Sequence, residues 1–170
     1  MTNTDKGRLT LIAVAFASAG ALALALVSQH VFGLLPCDLC YLQRVPHALI
    51  FVFGALGAIS AVPPREKRIV LMHCGLLFIL SAGFAGYHVG VEELWWAGPV
   101  SCSGGGGALT MDGLAAALTQ SARPSCEEAA VRVLGISMAG YNFIASVGLT
   151  AFCFWAMGSE LGGANYERSA

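Results

Sequence analysis

Four long apolar segments, separated by shorter polar or glycine-rich stretches, dominate the chain. Each is close to the ~20 residues that an α-helix needs to cross the hydrocarbon core of a bilayer. In lipid a helix satisfies its own backbone hydrogen bonds, whereas an isolated strand does not. The pattern therefore predicts an all-α membrane protein, a single integral membrane domain over residues 1–170 that folds as a four-transmembrane-helix bundle. The expected spans are about residues 9–31, 45–62, 69–89 and 133–157, with a long loop at about 90–132 between helices 3 and 4.

The composition agrees with a lipid environment. Of the 170 residues, 56% are hydrophobic and only 11% are charged, against about 25% charged in soluble domains. The net charge of −1 leaves no basic surface to neutralise phosphates, so we expect membrane lipid and no nucleic acid as a partner. Glycines within the spans should let the helices approach closely; they are Gly54, Gly57, Gly83 and Gly86.

Basic residues are concentrated on one side of the predicted membrane. Lys6 and Arg8 precede the first span. The short link between the second and third spans contains three more, Arg65, Lys67 and Arg68. Because the positive-inside rule assigns such segments to the cytoplasm, both termini should be cytoplasmic and the long loop should lie on the outer side.

The six cysteines divide by their predicted depth. Cys74 and Cys153 fall inside spans, where a free cysteine packs as a small hydrophobe. The outer side of a bacterial inner membrane is oxidising, and disulfides persist there. The other four cysteines lie on that side; they are Cys37, Cys40, Cys102 and Cys126.

Cys37 and Cys40 form a Cys-x-x-Cys pair, a spacing used for metal binding, haem attachment and thiol–disulfide exchange. A zinc ribbon needs a second such pair, but Cys102 and Cys126 are far apart in the sequence, so we expect no metal. Haem attachment needs a histidine next, and the residue that follows is a tyrosine. Thiol exchange remains, and Pro36 suits the first turn of a helix. Both cysteines would then lie near a helix N-terminus, where the dipole lowers a thiol pKa.

Arg44 follows Cys40 by one helical turn, so its charge would stabilise a thiolate there. The alternative is an interfacial arginine that only snorkels towards water. The same neighbourhood contains three further polar residues. They are His47, one turn beyond Arg44, and His88 with Glu92, one turn apart at the outer end of the third span.

Two local signals occur around the loop cysteines. Cys102 is followed by the glycine run 104–107, which predicts a mobile segment. Ser125 and Glu128 have the spacing of a capping box. They predict that Cys126 lies in the first turn of a short helix that runs to Gly135.

The ordered set of these motifs resembles the disulfide bond formation protein B (DsbB) family, and the resemblance covers nearly the whole chain. The motifs that carry it follow one another in the sequence. They are Pro36-Cys37-x-Leu39-Cys40-x-x-Gln43-Arg44, Gly86-Tyr87-His88-x-Gly90-Val91-Glu92, Gly98-Pro99-x-x-Cys102, and Cys126-x-x-Ala129 leading into Gly135-Ile136-Ser137-Met138-Ala139-x-Tyr141-Asn142.

The resemblance implies a thiol:quinone oxidoreductase of the bacterial inner membrane. Such an enzyme reoxidises a periplasmic DsbA-like thioredoxin-fold protein and passes two electrons to a membrane quinone, ubiquinone or menaquinone. By analogy, the reduced partner would attack Cys102, whose disulfide mate would be Cys126. Cys37 would then exchange with that pair, and Cys40 would contact the quinone.

The same analogy implies quinone-site roles for four polar residues. Arg44 would hold a quinone oxygen and His47 would line the pocket. His88 and Glu92 would relay protons, although interfacial residues of these types often only meet headgroup water. A competing hypothesis is a non-enzymatic four-span scaffold whose outer cysteines merely staple the loop.

Overall fold

The computed structural model describes residues 3–61, 63–99, 102 and 124–169. Within these ranges it contains four helices, each long and apolar enough to cross a membrane. The predicted all-α, four-helix transmembrane architecture is therefore confirmed. The helices are α1 (Asn3–His30), α2 (Asp38–Ile59), α3 (Pro64–Glu92) and α4 (Met138–Ser169), and two short strands, β1 (Arg132–Val133) and β2 (Ile136–Ser137), precede α4.

The helices pack in the order of the chain, with α1 against α2, α2 against α3, and α3 against α4. Many large apolar side chains remain on the outside of the bundle, as expected where the surrounding lipid is itself apolar. The core lies between the helices. Its fully or nearly fully buried members include Leu11, Val14, Ile50, Leu71, Cys74, Phe78 and Cys153.

Close helix approach at glycine is confirmed at three of the four predicted positions. A Cβ atom built at Gly54 would lie 3.1 Å from the Cβ of Ala15 on α1. At Gly57 and Gly86 the nearest side-chain atoms of neighbouring helices would lie at 3.1 and 3.2 Å. The prediction is wrong for Gly83, where a Cβ would meet nothing within 4 Å.

The start of α2 differs in one detail from the prediction. Cys37 is the N-cap residue, with extended φ and ψ of −76° and 172°, and its sulfur accepts a hydrogen bond from the Cys40 amide at 3.2 Å. Pro36 therefore precedes the cap and does not occupy the first turn. The sulfur satisfies an amide that would otherwise lack a partner at the helix N-terminus. The cysteine pair nevertheless lies at the start of a helix, as predicted.

The expected helix from Cys126 to Gly135 is wrong, and so is the expected start of the fourth span at residue 133. Residues 132–137 form an antiparallel hairpin in which Val133 pairs with Ile136. Its two turn residues, Leu134 and Gly135, have positive φ values of 51° and 82°, as in the tight turns that suit a hairpin twist.

The polar groups around the hairpin explain the difference. Ser125 does not cap a helix, because its hydroxyl accepts from the amide of Glu127 and donates to the carbonyl of Cys102. The fourth helix starts only after the hairpin. There the Ser137 hydroxyl accepts from the amide of Gly140 at 3.1 Å and caps the helix.

Candidate thiol–disulfide site

The four outer cysteines meet at one end of the bundle. Cys37, Cys102 and Cys126 belong to one buried cluster, against which Cys40 packs. Their exposures are 4%, 1% and 1%, respectively, while Cys40 is half-buried. Two elements bring them together, the N-terminus of α2 and the segments that flank the long loop. Leu39 and Val91 complete the cluster.

Cys102 and Cys126 are joined by a disulfide, the pairing that the family resemblance implies. The amide of Cys102 donates to the Pro99 carbonyl at 2.7 Å, and the amide of Cys126 donates to the Cys102 carbonyl at 3.2 Å. The disulfide is thus held by its own backbone and covered by its surroundings. The glycine run 104–107 lies outside the described residues, so its expected mobility stays a prediction.

Cys37 and Cys40 are both free thiols. The hydrogen bond with the Cys40 side chain, together with burial, raises the pKa of the Cys37 thiol above its usual range. A thiolate at Cys37 needs hydrogen-bond donors to stabilise it, and the Cys40 amide at 3.2 Å is one such donor.

Arg44 is held at a fixed place one turn after Cys40. Its Nη1 donates to Oε1 of Gln29 on α1 at 2.8 Å. Its guanidinium carbon lies 5.0 Å from the centre of the Tyr41 ring, a cation–π distance. The side chain is half-buried. These contacts hold the guanidinium between α1 and α2, whereas a snorkelling arginine would extend into water.

His88 lies beside Cys37. Its Nε2 is 3.6 Å from the Cys37 sulfur and 3.7 Å from Oε1 of Glu92. The side chains of His88 and Glu92 are each 5% exposed. Both side chains therefore lie against other protein groups, and their role as a proton relay stays a prediction. One further contact ties the ring to α2, because its Nδ1 lies 2.8 Å from Nε2 of Gln43.

His47 lies deeper in the bundle than Arg44 and faces other helices. Its Nε2 is 2.9 Å from Oδ1 of Asn142 on α4 and 3.3 Å from the hydroxyl of Ser81 on α3. Its ring also meets Phe78 edge-on, with the centroids 5.9 Å apart. Arg44 points to α1 and His47 to α3 and α4, so the structure does not bring these two predicted residues together.

Sequence reasoning assigned no role to Gln43, Asn142, Ser81 or Ser146. The structure joins them in one network of buried and half-buried side chains, in which Asn142 donates to Gln43 at 2.7 Å and Ser146 lies within hydrogen-bond distance of Ser81 at 3.1 Å and of Asn142 at 3.3 Å. The sequence did contain a signal for them, namely polar residues within or beside predicted membrane spans. Such residues are energetically costly there and usually have a function. Gln43 and Asn142 also belong to the motifs that carry the family resemblance.

Three potential metal ligands occur together in the described part of the chain. The Cys37 and Cys40 sulfurs and a ring nitrogen of His88 lie within 4.8 Å of one another. Two thiolates and an imidazole would suit a soft cation. The expectation that no metal is bound stays a prediction.

A four-helix membrane bundle in which a disulfide packs against a second pair of cysteines, present as free thiols, defines a class of protein, the membrane proteins of disulfide exchange. The family model described as Disulfide bond formation protein DsbB matches residues 7–156. The chain therefore belongs to the DsbB family. It is a multi-pass protein of the bacterial inner membrane with a role in disulfide bond formation.

Several curated relatives carry the name Disulfide bond formation protein B. One from Verminephrobacter eiseniae is 34% identical over 160 residues, which are 89% of this chain and 87% of the relative. One from Polaromonas naphthalenivorans is 32% identical over 155 residues, 86% of this chain and 90% of the relative. One from Saccharophagus degradans is 26% identical over 159 residues, 91% and 95% of the two chains. No solved structure gives a significant match.

Proposed function

We propose that this protein is a thiol:quinone oxidoreductase that reoxidises a periplasmic DsbA-type dithiol protein and passes the electrons to a membrane quinone. The observation that carries the proposal is the packing of the Cys102–Cys126 disulfide in the same buried cluster as Cys37, against which Cys40 packs. The placement of basic residues supports cytoplasmic termini. It therefore supports a periplasmic location for the cysteines and for the redox loop at about residues 90–132.

Electrons would enter through the loop disulfide. A thiolate of the reduced partner attacks the sulfur of Cys102, and the bond to Cys126 breaks as a mixed disulfide forms. The second thiolate of the partner then attacks the partner's own sulfur in that mixed disulfide. The partner leaves oxidised, and Cys102 and Cys126 remain as a dithiol that holds two electrons.

The loop dithiol would next reduce a Cys37–Cys40 disulfide. One loop thiolate attacks Cys37, and Cys40 leaves as a thiolate. The second loop thiol closes the Cys102–Cys126 bond, and Cys37 leaves in its turn. This exchange needs the two pairs in contact, which is the arrangement of the buried cluster.

The surroundings of Cys40 suit a quinone. Arg44 offers only hydrogen-bond donors, as a carbonyl oxygen that gains charge requires. The exposed apolar side chains of Tyr41 and Val45 lie on the same turn of helix and would contact an isoprenoid tail. A bound quinone would supply the two-electron acceptor for the pair. His88 and Glu92 would hold protons beside Cys37. His47 would act less directly, because it contacts Asn142, which in turn contacts Gln43.

The scaffold hypothesis accounts for less of the structure. A loop staple needs the Cys102–Cys126 disulfide alone. It gives no reason for a second cysteine pair on a helix N-terminus, with His88 and Glu92 buried beside it. The oxidoreductase uses all of these groups.

Anaerobic turnover would test the proposal. The purified protein is mixed with a reduced DsbA-type dithiol protein and a short-chain quinone, and loss of quinone absorbance is followed. We expect quinone reduction that requires both the dithiol and the protein and is abolished by Cys40→Ala. Cys74→Ala, a change at a buried cysteine outside the cluster, should retain it. Quinone reduction that survives Cys40→Ala would contradict the proposal.

A further inference from the structure

A continuous series of buried and half-buried polar side chains, here called the polar chain, runs from the redox cysteines into the middle of the bundle. It begins at Cys37, whose sulfur lies 3.6 Å from Nε2 of His88. It continues through Gln43, 2.8 Å from the other ring nitrogen, to Asn142 at 2.7 Å. It ends at His47, whose Nε2 is 2.9 Å from Oδ1 of Asn142. This polar chain therefore connects α2, α3 and α4.

The direction of these hydrogen bonds fixes the position of one proton. The amide nitrogen of Gln43 can only donate, and it faces Nδ1 of His88. Nδ1 must therefore accept, so a neutral His88 carries its proton on Nε2. The amide of Gln43 is oriented in turn, because its oxygen accepts from the nitrogen of Asn142.

A reversed network is the arrangement of neutral rings that competes with this one. If the amides of Gln43 and Asn142 were both rotated by half a turn, every contact would remain but every donor would become an acceptor. His88 would then carry its proton on Nδ1, with a bare Nε2 towards Cys37. Contacts within the pair of amides cannot decide between the two arrangements.

His47 decides between them. Its Nδ1 is buried and has no hydrogen-bond partner among the described residues. In the observed direction Nε2 donates to Asn142, and the unpaired Nδ1 is a bare acceptor. In the reversed direction Asn142 would donate to Nε2, and the proton of His47 would sit unpaired on Nδ1. Buried N–H groups without a partner are rarer and costlier than unpaired acceptors, so the observed direction is favoured.

The contacts of His88, at the other end of the polar chain, favour the same direction. Nε2 of His88 lies near two groups that can accept a hydrogen bond, the Cys37 sulfur at 3.6 Å and Oε1 of Glu92 at 3.7 Å. The backbone carbonyl of Cys126 also interacts with this ring. An N–H at Nε2 therefore has partners, whereas a bare nitrogen there could accept only from the Cys37 thiol, whose S–H is a weak donor.

We propose that Gln43 is a positioning residue that holds His88 as the Nε2–H tautomer, with this N–H directed at the Cys37 sulfur. When Cys37 is displaced as a thiolate, its charge receives a second donor besides the amide of Cys40. No proton leaves the ring, which donates a hydrogen bond and stays neutral. The tautomer follows from the contacts alone, while its use during exchange rests on the proposed function.

Nitrogen NMR tests the tautomer without any turnover. The protein has four histidines, so ¹⁵N-histidine labelling with single substitutions assigns each ring in the reduced protein, at a pH where the rings are neutral. We expect His88 to be protonated on Nε2. His73 provides a reference of the opposite tautomer, because its Nδ1 lies 2.7 Å from the Ile69 carbonyl and must donate.

Three substitutions then test the cause. Gln43→Met removes the donor and should leave His88 as a mixture of tautomers. Gln43→Glu supplies only acceptors and should move the proton to Nδ1 or charge the ring. His47→Phe, distant from the cysteines, should raise the share of the Nδ1–H tautomer of His88, because it removes one of the two groups that favour the observed direction. Gln29→Met is the control, because Gln29 makes no hydrogen bond to the polar chain and contacts Arg44 instead. It should leave the tautomer of His88 unchanged.

The outcomes separate this proposal from the proposed function. A His88 protonated on Nδ1 in the unaltered protein would overturn it, as would ¹⁵N shifts that ignore Gln43→Met or His47→Phe. In a single-turnover assay, Gln43→Met should slow exchange between the loop dithiol and the Cys37–Cys40 disulfide about tenfold. If the tautomer is as proposed and exchange is unaffected, the positioning role fails while the network assignment holds.

Discussion

Replacement of Arg44 by alanine tests whether this arginine acts on the quinone or only anchors α2. The substitution removes the hydrogen bond to Gln29 at 2.8 Å and the cation–π contact with Tyr41. It also removes a positive charge one turn from Cys40. The contacts of Arg44 are with Gln29 and Tyr41 and not with the loop disulfide, so exchange with the protein partner should not change.

The structure sets the expected size of the effect. A hydrogen bond to a group that gains charge contributes about 1.5–3 kcal/mol, which corresponds to roughly 10- to 150-fold in kcat/KM for the quinone. Because Arg44 is half-buried, solvent screens part of this energy and we expect the lower half of that range. Arg44→Lys should recover only part of the loss, since it keeps the charge without the planar fork.

Gln29→Leu tests separately how much the orientation of Arg44 contributes. It leaves the guanidinium in place but removes the contact that orients it. The loss of one such hydrogen bond contributes about 0.5–1.5 kcal/mol, so kcat/KM should fall by roughly 2- to 13-fold. The combined Arg44→Ala and Gln29→Leu variant should be no slower than Arg44→Ala alone, because Gln29 acts through Arg44.

Steady-state quinone reduction over a range of quinone concentrations separates KM from kcat. Oxidation of the dithiol partner in a single turnover without quinone measures the loop step alone. Expression and helicity of each variant check insertion into the membrane. If Arg44→Ala reduced quinone with an unchanged kcat/KM, the arginine would be a membrane anchor and the assignment of the Cys40 site would be wrong.

Three further changes have defined outcomes. Cys126→Ala should accumulate a mixed disulfide between the partner and Cys102, seen on non-reducing gels; capture only on Cys126, in a Cys102→Ala variant, would reverse the assignment. Leu134→Asn should raise the unfolding free energy by about 1 kcal/mol, because Leu134 has a φ of 51° with 94% exposure and asparagine tolerates that conformation; an unchanged melting temperature in detergent would count against it. Ser137→Ala should lower the unfolding free energy by about 1 kcal/mol, because the helix cap on the Gly140 amide is lost. Ser137→Thr keeps a hydroxyl and should keep most of that stability.

Local signals around the loop failed for a physical reason. The Ser125 to Glu128 spacing predicts a helix cap, but the Cys102–Cys126 disulfide draws Ser125 towards the Cys102 carbonyl at 3.2 Å. Val133 is apolar and was assigned to the fourth span, yet the Leu134–Gly135 turn pairs it with a strand. Contacts made by the folded chain outweighed weak local preferences in both places.

The sequence by itself determined the number of spans and the helix that carries Cys37 and Cys40. These properties depend on segment length, apolar content and the chemistry of a helix N-terminus, all of which are local. The class of chemistry also followed from it, because two cysteines three apart on an oxidising face leave few alternatives.

Only the tertiary structure decided which polar groups meet. His88 reaches Cys37 across 51 positions, and Asn142 reaches Gln43 across 99. In a soluble helix the polar face would reveal its rotation, but here both the lipid-facing and the core-facing side chains are apolar. The rotation and register of each helix are therefore set by packing at small residues such as Gly54 and by the buried hydrogen bonds themselves, which exist only once the helices have assembled.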